Sequence, residues 1–265
     1  MKEFNKLIKI MKKLRNPVNG CPWDRKQTPD SLKEYILEEA YELVEAIEMD
    51  SAEKQKEELG DLLLQIVFLS RIHREKNHFS ERDVINTICE KLILRHPHVF
   101  ADVTVQSADQ VKQNWEKIKK KEKKRKSILS EYPDHMPALI TAKRIGEQAS
   151  NVGFDWEEPL AAIEKVEEEL TELKQELKTG DKERISEELG DILFAVANVA
   201  RLARINPEFA LRSANKKFTA RFHYIGEKLK KQGKDIDKTG LDEMEELWQE
   251  SKNQLPMNDT DENTI

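Results

Sequence analysis

Glycine and proline are scarce in this 265-residue chain, with nine of each. A sheet protein held by many tight turns would need more of both, so helices are the expected element. Cysteine is limited to Cys21 and Cys89. That is too few, and too widely spaced, for a disulfide framework or a thiolate zinc site, and it points to a reducing compartment. Long apolar runs are also missing. The stretches around 62–69 and 192–200 fall far short of the ~20 residues that cross a bilayer. At the start of the chain Phe4, Leu7, Ile8, Met11 and Leu14 recur at helical spacing with lysines between them, which describes an amphipathic helix rather than a signal peptide. An excess of positive charge is absent too: the net charge is −6, which offers nothing global to nucleic acid or to an anionic membrane. The expectation is a soluble, cytoplasmic, all-α protein.

What the chain does have is charge, 36% of its residues, and a repeat. Laid over itself with an offset of 130, Glu38, Glu39 and Glu42 fall on Glu168, Glu169 and Glu172, and Glu57-Glu58-Leu59-Gly60-Asp61 falls on Glu187-Glu188-Leu189-Gly190-Asp191. Further on the offset drifts but the local spacing holds: Lys91 and Arg95 correspond to Lys217 and Arg221, and Trp115 and Lys119 to Trp248 and Lys252. One module is written twice. The expected organisation is a helical bundle over 1–120, a basic, proline-containing linker over 121–137, a second bundle over 138–255 and a mobile tail over 256–265, with four or five helices per module. Ser31 with Glu34, Ser80 with Asp83, Ser107 with Gln110 and Thr239 with Asp242 read as capping boxes. Gly180-Asp181 reads as a helix stop followed by a new start.

Glu38, Glu42 and Glu45 line one stripe of the first acidic helix with Glu39 at its edge, because residues four apart stack on a helix. An acidic stripe by itself is usually a wet face. The helix that follows is more informative. From Asp61 to Leu69 it is apolar around nearly its whole circumference and is expected to be buried, with Glu58, Asp61 and Gln65 as its one polar stripe. Glu188, Asp191 and Asn198 repeat much of that stripe in the second half. Like charges gathered there must protonate, pair with cations or bind a metal. Oxygen donors with no cysteine or histidine beside them favour Mg²⁺ or Mn²⁺ over zinc. The plain rival is a salt-bridged helix junction. The basic pairs Lys91/Arg95 and Lys217/Arg221 could hold a polyphosphate or be surface charge, and Trp115/Lys119 and Trp248/Lys252 could hold a base and a phosphate or be core anchors. His96 and His98 flank Pro97 and read as turn residues.

At these residues the chain resembles the MazG family of all-α nucleoside triphosphate pyrophosphohydrolases, whose signature is Glu-Glu-x-x-Glu followed by Glu-x-x-Asp. Both halves match it, as do the Gly20-Cys21-Pro22-Trp23-Asp24 loop and the 95–100 segment. The resemblance implies a full-length two-domain form that cleaves nucleoside triphosphates to monophosphate and pyrophosphate and is a homodimer. It also implies Mg²⁺ as the cofactor, with Mn²⁺ as its substitute. The main site would be C-terminal: Glu169, Glu172, Glu188 and Asp191 around the metal, with Glu172, Glu188 and Asp191 catalytic. Glu168, Glu187, Lys165, Lys217, Arg221, Trp248 and Lys252 would complete the nucleotide site. The N-terminal counterpart would use Glu38, Glu39, Glu42, Glu58, Asp61, Lys91, Arg95, Trp115 and Lys119, but has Tyr35 where the second module has Lys165. No P-loop is present. A pyrophosphohydrolase dedicated to one non-standard nucleotide and a non-catalytic helical interaction module are the rival readings.

Overall fold

The computed structural model describes residues 2–107, 110–111, 114–115, 118, 132–133 and 136–255, and every regular element among them is helical. The chain divides into two compact units, Met1–Lys124 and Arg125–Ile265. Most of the expected linker, and the tail over 256–265, lie outside the described residues.

The first unit comprises α1 (Lys2–Leu14), α2 (Pro22–Lys26), α3 (Leu32–Glu48), α4 (Ala52–Glu75), α5 (Glu81–Arg95) and α6 (Pro97–Phe100). A three-residue connection forces α3 and α4 into an antiparallel hairpin, and α1 lies along α4. The apolar spacing of α1 explains that contact: Met11 is fully buried with Leu32, Val67, Phe68 and Ile72, and Phe4, Leu7, Ile8 and Leu14 close the same core. Arg15, just past α1, lies over the Phe68 ring at 5.5 Å, pairs with Glu75 at 2.8 Å and donates to the carbonyls of Asp24 and Gln27. One guanidinium therefore fastens the loop ahead of the acidic helix onto α4.

The second unit comprises α7 (Ala138–Ser150), α8 (Pro159–Thr179), α9 (Lys182–Leu202), α10 (Pro207–Lys231), a 3-10 turn (Ile236–Lys238) and α11 (Leu241–Gln254). Gly180 ends α8 with a left-handed φ of 74°, and Asp181 caps α9 by accepting from the amides of Glu183 and Arg184, as the Gly-Asp pair predicts. The result is a second hairpin, α8 with α9, with α7 packed on α9. A β-carbon on Gly146 would lie 2.4 Å from Asn198 Oδ1, so the absence of a side chain is what lets α7 lie flush. Arg201 repeats the fastening seen at Arg15, donating from Nε to Asn198 Oδ1 at 2.7 Å and pairing with Asp155 in the loop before α8. Ile225, Leu229 and Leu247 form a smaller core between α10 and α11.

Several sequence expectations change. The Ser80–Asp83 cap forms, with the Ser80 amide and hydroxyl both donating to Asp83. At Ser107 the hydroxyl caps Gln110, but the Gln110 side chain reaches the Gln106 amide, one residue early. Ser31 does not cap α3, because its hydroxyl is committed to Gln27 and Thr28 in the preceding turn. Thr239 bonds back to the Asp235 carbonyl and leaves the cap position to Gly240. The largest correction concerns the apolar helices. On α4 Leu59, Leu63 and Ile66 are 56%, 38% and 47% exposed, and on α9 their counterparts Leu189, Leu193 and Val196 are 47%, 56% and 45% exposed. The packed neighbours cover one side of each helix and leave the same stripe open in both modules.

Leu32 is wholly enclosed in the first core. Leu32→Ala is expected to cost about 2–5 kcal/mol, transfer and cavity terms together. Urea denaturation with an unchanged slope would check this.

Candidate active site

Each hairpin brings carboxylates from its two helices to one place. Glu39 of α3 and Glu58 and Asp61 of α4 each present an oxygen, all within 4.8 Å of one another; Glu169 and Glu172 of α8 and Glu188 of α9 do the same in the second unit. The local reason is helical spacing: residues three apart share a face, and the hairpin turns those faces toward each other. Glu42 and Asp191 stand outside the tight groups but add to their fields, Glu42 acting on Glu58 and Asp191 on Glu188. Glu38 is exposed and adds charge near Glu39. Glu187 is exposed, and Glu45 is half-buried farther along α3.

The charges oppose one another. Desolvation first, then Glu42, Glu57, Asp61 and Glu39, push the Glu58 carboxyl above its ordinary value; desolvation, then Glu172, Glu169, Asp191 and Glu176, do the same to Glu188. Glu39 is raised as well, by desolvation and by Asp61, Glu42 and Glu38, against a lowering hydrogen bond from Gln65 Nε2 at 3.3 Å. In the second unit Lys165 bridges Glu168 at 2.9 Å and Glu169 at 2.8 Å, and hydrogen bonds to Glu169 and then Glu168 raise its pKa.

A divalent ion fits both groups. All the donors are carboxylate oxygens, the set that Mg²⁺ and Mn²⁺ prefer. Glu188 Oε2 is buried with no hydrogen-bond partner, and so is Gln65 Oε1 beside the first group. Polar atoms of that kind are stabilised by an ion or by the water that accompanies it.

The basic and aromatic residues also meet. The Arg221 guanidinium lies over Trp248 at 5.7 Å with its Nε buried and unpartnered, and Phe218 packs on the same indole at 5.0 Å. Trp248 therefore serves as core anchor and stacking face at once, since it also closes the Ile225–Leu229–Leu247 core. Glu250 holds α11 against α10 by accepting from Tyr224 at 2.7 Å and from Lys228 at 2.5 Å. Hydrogen bonds to Glu250 and then Tyr224 push the Lys228 ammonium up to about 12. Lys217 is exposed, and Lys252 donates to Gln249 at 2.9 Å. In the first unit Arg95 lies over Trp115 at 5.4 Å, and His96 meets the same ring edge-on at 4.8 Å. Lys91 is exposed on α5 beside Phe79 and Thr87, and Lys119 lies outside the described residues. Sequence reasoning missed Phe218, the Glu250 clamp and the stacking of His96. The four-residue spacing of Phe218 and Phe222 was the available signal. Asn198, grouped by sequence with Glu188 and Asp191, is instead engaged by Arg201.

A model of the MazG nucleotide pyrophosphohydrolase domain matches residues 27–100 and 157–225, more than half of the chain and including both carboxylate groups. The chain belongs to the MazG family. It is similar to the nucleoside triphosphate pyrophosphohydrolase/pyrophosphatase MazG of Thermotoga maritima, 47% identical over 94% of this chain and 95% of that protein. It is also similar to the nucleoside triphosphate pyrophosphohydrolase of Escherichia coli K12, 39% identical over 96% of this chain and 98% of the other. Bacillus subtilis YabN is 46% identical over 94% of this MazG-family chain, which spans 52% of YabN. No described helix is long and apolar enough to cross a membrane.

The raised Glu58 and Glu188 carboxyls set a pH dependence. A carboxyl raised in the folded state contributes stability that is present below its ordinary value of 4.5 and lost as the pH climbs through the raised value. The rise in Tm on adding Mg²⁺ is expected to grow across that window and to shrink in Glu188→Gln, measured by calorimetry. A Tm rise independent of pH would place the ion elsewhere.

Proposed function

We propose that this MazG-family chain hydrolyses nucleoside triphosphates to nucleoside monophosphate and pyrophosphate with Mg²⁺, Mn²⁺ serving as a substitute, and that its C-terminal module is the main active site. The observation that carries this reading is the group Glu169–Glu172–Glu188, with Lys165 seated on its edge. Carboxylates and a lysine ammonium in one place suit a substrate that brings both metal and phosphate. Glu169, Glu172, Glu188 and Asp191 would hold the metal, which supplies an activated water and neutralises charge on the phosphates. Lys165, Lys217 and Arg221 offer charge-assisted hydrogen bonds to phosphate oxygens. Trp248 presents an aromatic face to the base, Lys252 adds a cation beside it, and Glu168 and Glu187 flank the cluster. A cluster glutamate not committed to the ion accepts the proton of the attacking water.

Two features favour the second module. Lys165 is matched by Tyr35 in the first. Beyond Arg221, α10 runs on to Lys231 and carries α11 back onto itself, whereas α5 ends at Arg95 ahead of Pro97. The proposed boundaries are modules 1–120 and 138–255 joined by 121–137. The repeated apolar stripe on α4 and α9 supports a homodimer, since exposed patches of this kind mark interaction surfaces.

Glu172→Ala is expected to lower pyrophosphate release by about 100-fold or more, the scale of losing one preorganised electrostatic contact, with Glu42→Ala affecting it less. Equal losses in both would overturn the ranking of the modules. Light scattering tests the dimer: Leu193→Glu is expected to shift the mass from twice the chain to one chain.

A further inference from the structure

The same carboxylate is held differently in the two modules. Glu169 accepts from the Lys165 ammonium at 2.8 Å, with Glu168 taking the same ammonium at 2.9 Å. Glu39, its counterpart, accepts from the Gln65 amide at 3.3 Å. Two exchanges at matched positions produce the difference: Tyr35 stands for Lys165, and Gln65 stands for Ala195. The Tyr35 ring turns to Trp23, edge-on at 5.7 Å, and packs against the first core. A positive charge has thus been replaced by a neutral amide reaching in from the other helix, and the first group is one cation poorer than the second.

That cation has a consequence for metal binding. An ammonium within hydrogen-bond distance of Glu169 repels a divalent ion entering the group that contains Glu169. It also competes for the carboxylate oxygens the ion needs. A triphosphate relieves the conflict, because its oxygens give the lysine an equivalent partner a short side-chain swing away. Lys165 is suited to that swing, with a side chain 38% exposed on a flexible stem, while Glu169 is buried. In the first group the Gln65 amide leaves the charge of Glu39 uncompensated, and that carboxyl is held above its ordinary range by desolvation and by its neighbours.

We propose that Lys165 is a placeholder cation: it occupies the second carboxylate group in the free protein and transfers to phosphate as the divalent ion enters, so that metal and nucleotide load together there, whereas the first group binds the ion alone. This rests on the reading that both groups bind a divalent ion and that the second receives a triphosphate. The two modules then differ in loading order.

The test is titration of the full chain with Mn²⁺, the free ion being read by electron paramagnetic resonance. It is done with one group silenced at a time, by Glu58→Gln with Asp61→Asn or by Glu172→Gln with Glu188→Gln, and with or without an α,β-methylene nucleoside triphosphate. With the first group silenced, Mn²⁺ alone is expected to bind weakly, and the analogue to tighten it at least about tenfold, a modest demand for one unit charge at such a distance. Lys165→Met is expected to tighten Mn²⁺ binding in the absence of nucleotide by a similar factor and to remove most of the enhancement. With the second group silenced, Tyr35→Lys is expected to weaken Mn²⁺ binding, which decides the matter independently should Lys165→Met fail to fold. Unchanged or weaker metal affinity in a folded Lys165→Met overturns the proposal. Failure of the second group to bind Mn²⁺ even with the analogue present would instead overturn the functional reading itself, and the proposal with it, whereas failure of the first group alone would overturn only the proposed difference in loading order.

Discussion

Mutual repulsion among carboxylates pressed between two helices is the constraint on which the rest of this protein depends. In each hairpin three acidic oxygens come within 4.8 Å of one another, and desolvation with neighbouring charge raises Glu58 and Glu188. Left alone, such a group weakens the fold that holds it, because the charged state costs more in the native structure than in the unfolded chain. The rigidity that resists this comes from outside the cluster. Met11, Leu32 and Phe68 brace the first hairpin, the flush contact at Gly146 braces the second, and Arg15 and Arg201 fasten the incoming loops. Destabilised charge held in place is what a site needs if a divalent ion is to be bound firmly.

On the proposed reading, the duplication separates two requirements that a single module would have to reconcile. A group that attracts metal strongly is best left without an internal cation. A group that handles a polyphosphate needs cations within reach. The first module has Gln65 and Tyr35 at the relevant positions and the second has Ala195 and Lys165, so one carboxylate framework carries two electrostatic settings. A similar divergence marks the aromatic end. Arg95 with Trp115 and Arg221 with Trp248 form the same cation–ring contact, but only in the second unit do the described residues show it backed by a helix pinned through Glu250 to Tyr224 and Lys228.

The stripes Leu59–Leu63–Ile66 and Leu189–Leu193–Val196 lie on the same helices as the acidic residues. A helix that places carboxylates on one face and uncovered leucines on another ties the site to whatever covers the leucines. Anything that packs on those leucines acts on the same helix that carries the carboxylates.

Much of this was written in one dimension. The acidic repeat, the helical class, the Gly180-Asp181 junction and the Lys–Arg pairs follow from spacing and residue type, because helical geometry is local and a period of three to four residues already fixes which side chains share a face, whereas the stacking of Arg95 on Trp115 and of Arg221 on Trp248 does not. Other features required the third dimension. Ser31 and Thr239 have the composition of caps but spend their hydroxyls on the preceding turns, and the apolar helices have the composition of buried elements but are covered on one side. Which three carboxylates converge, that Gln65 takes the place of Lys165 from the opposite helix, and that Asn198 answers to Arg201 rather than to the acidic group all depend on contacts between residues distant in the chain. Local periodicity determines faces; only packing determines what each face meets.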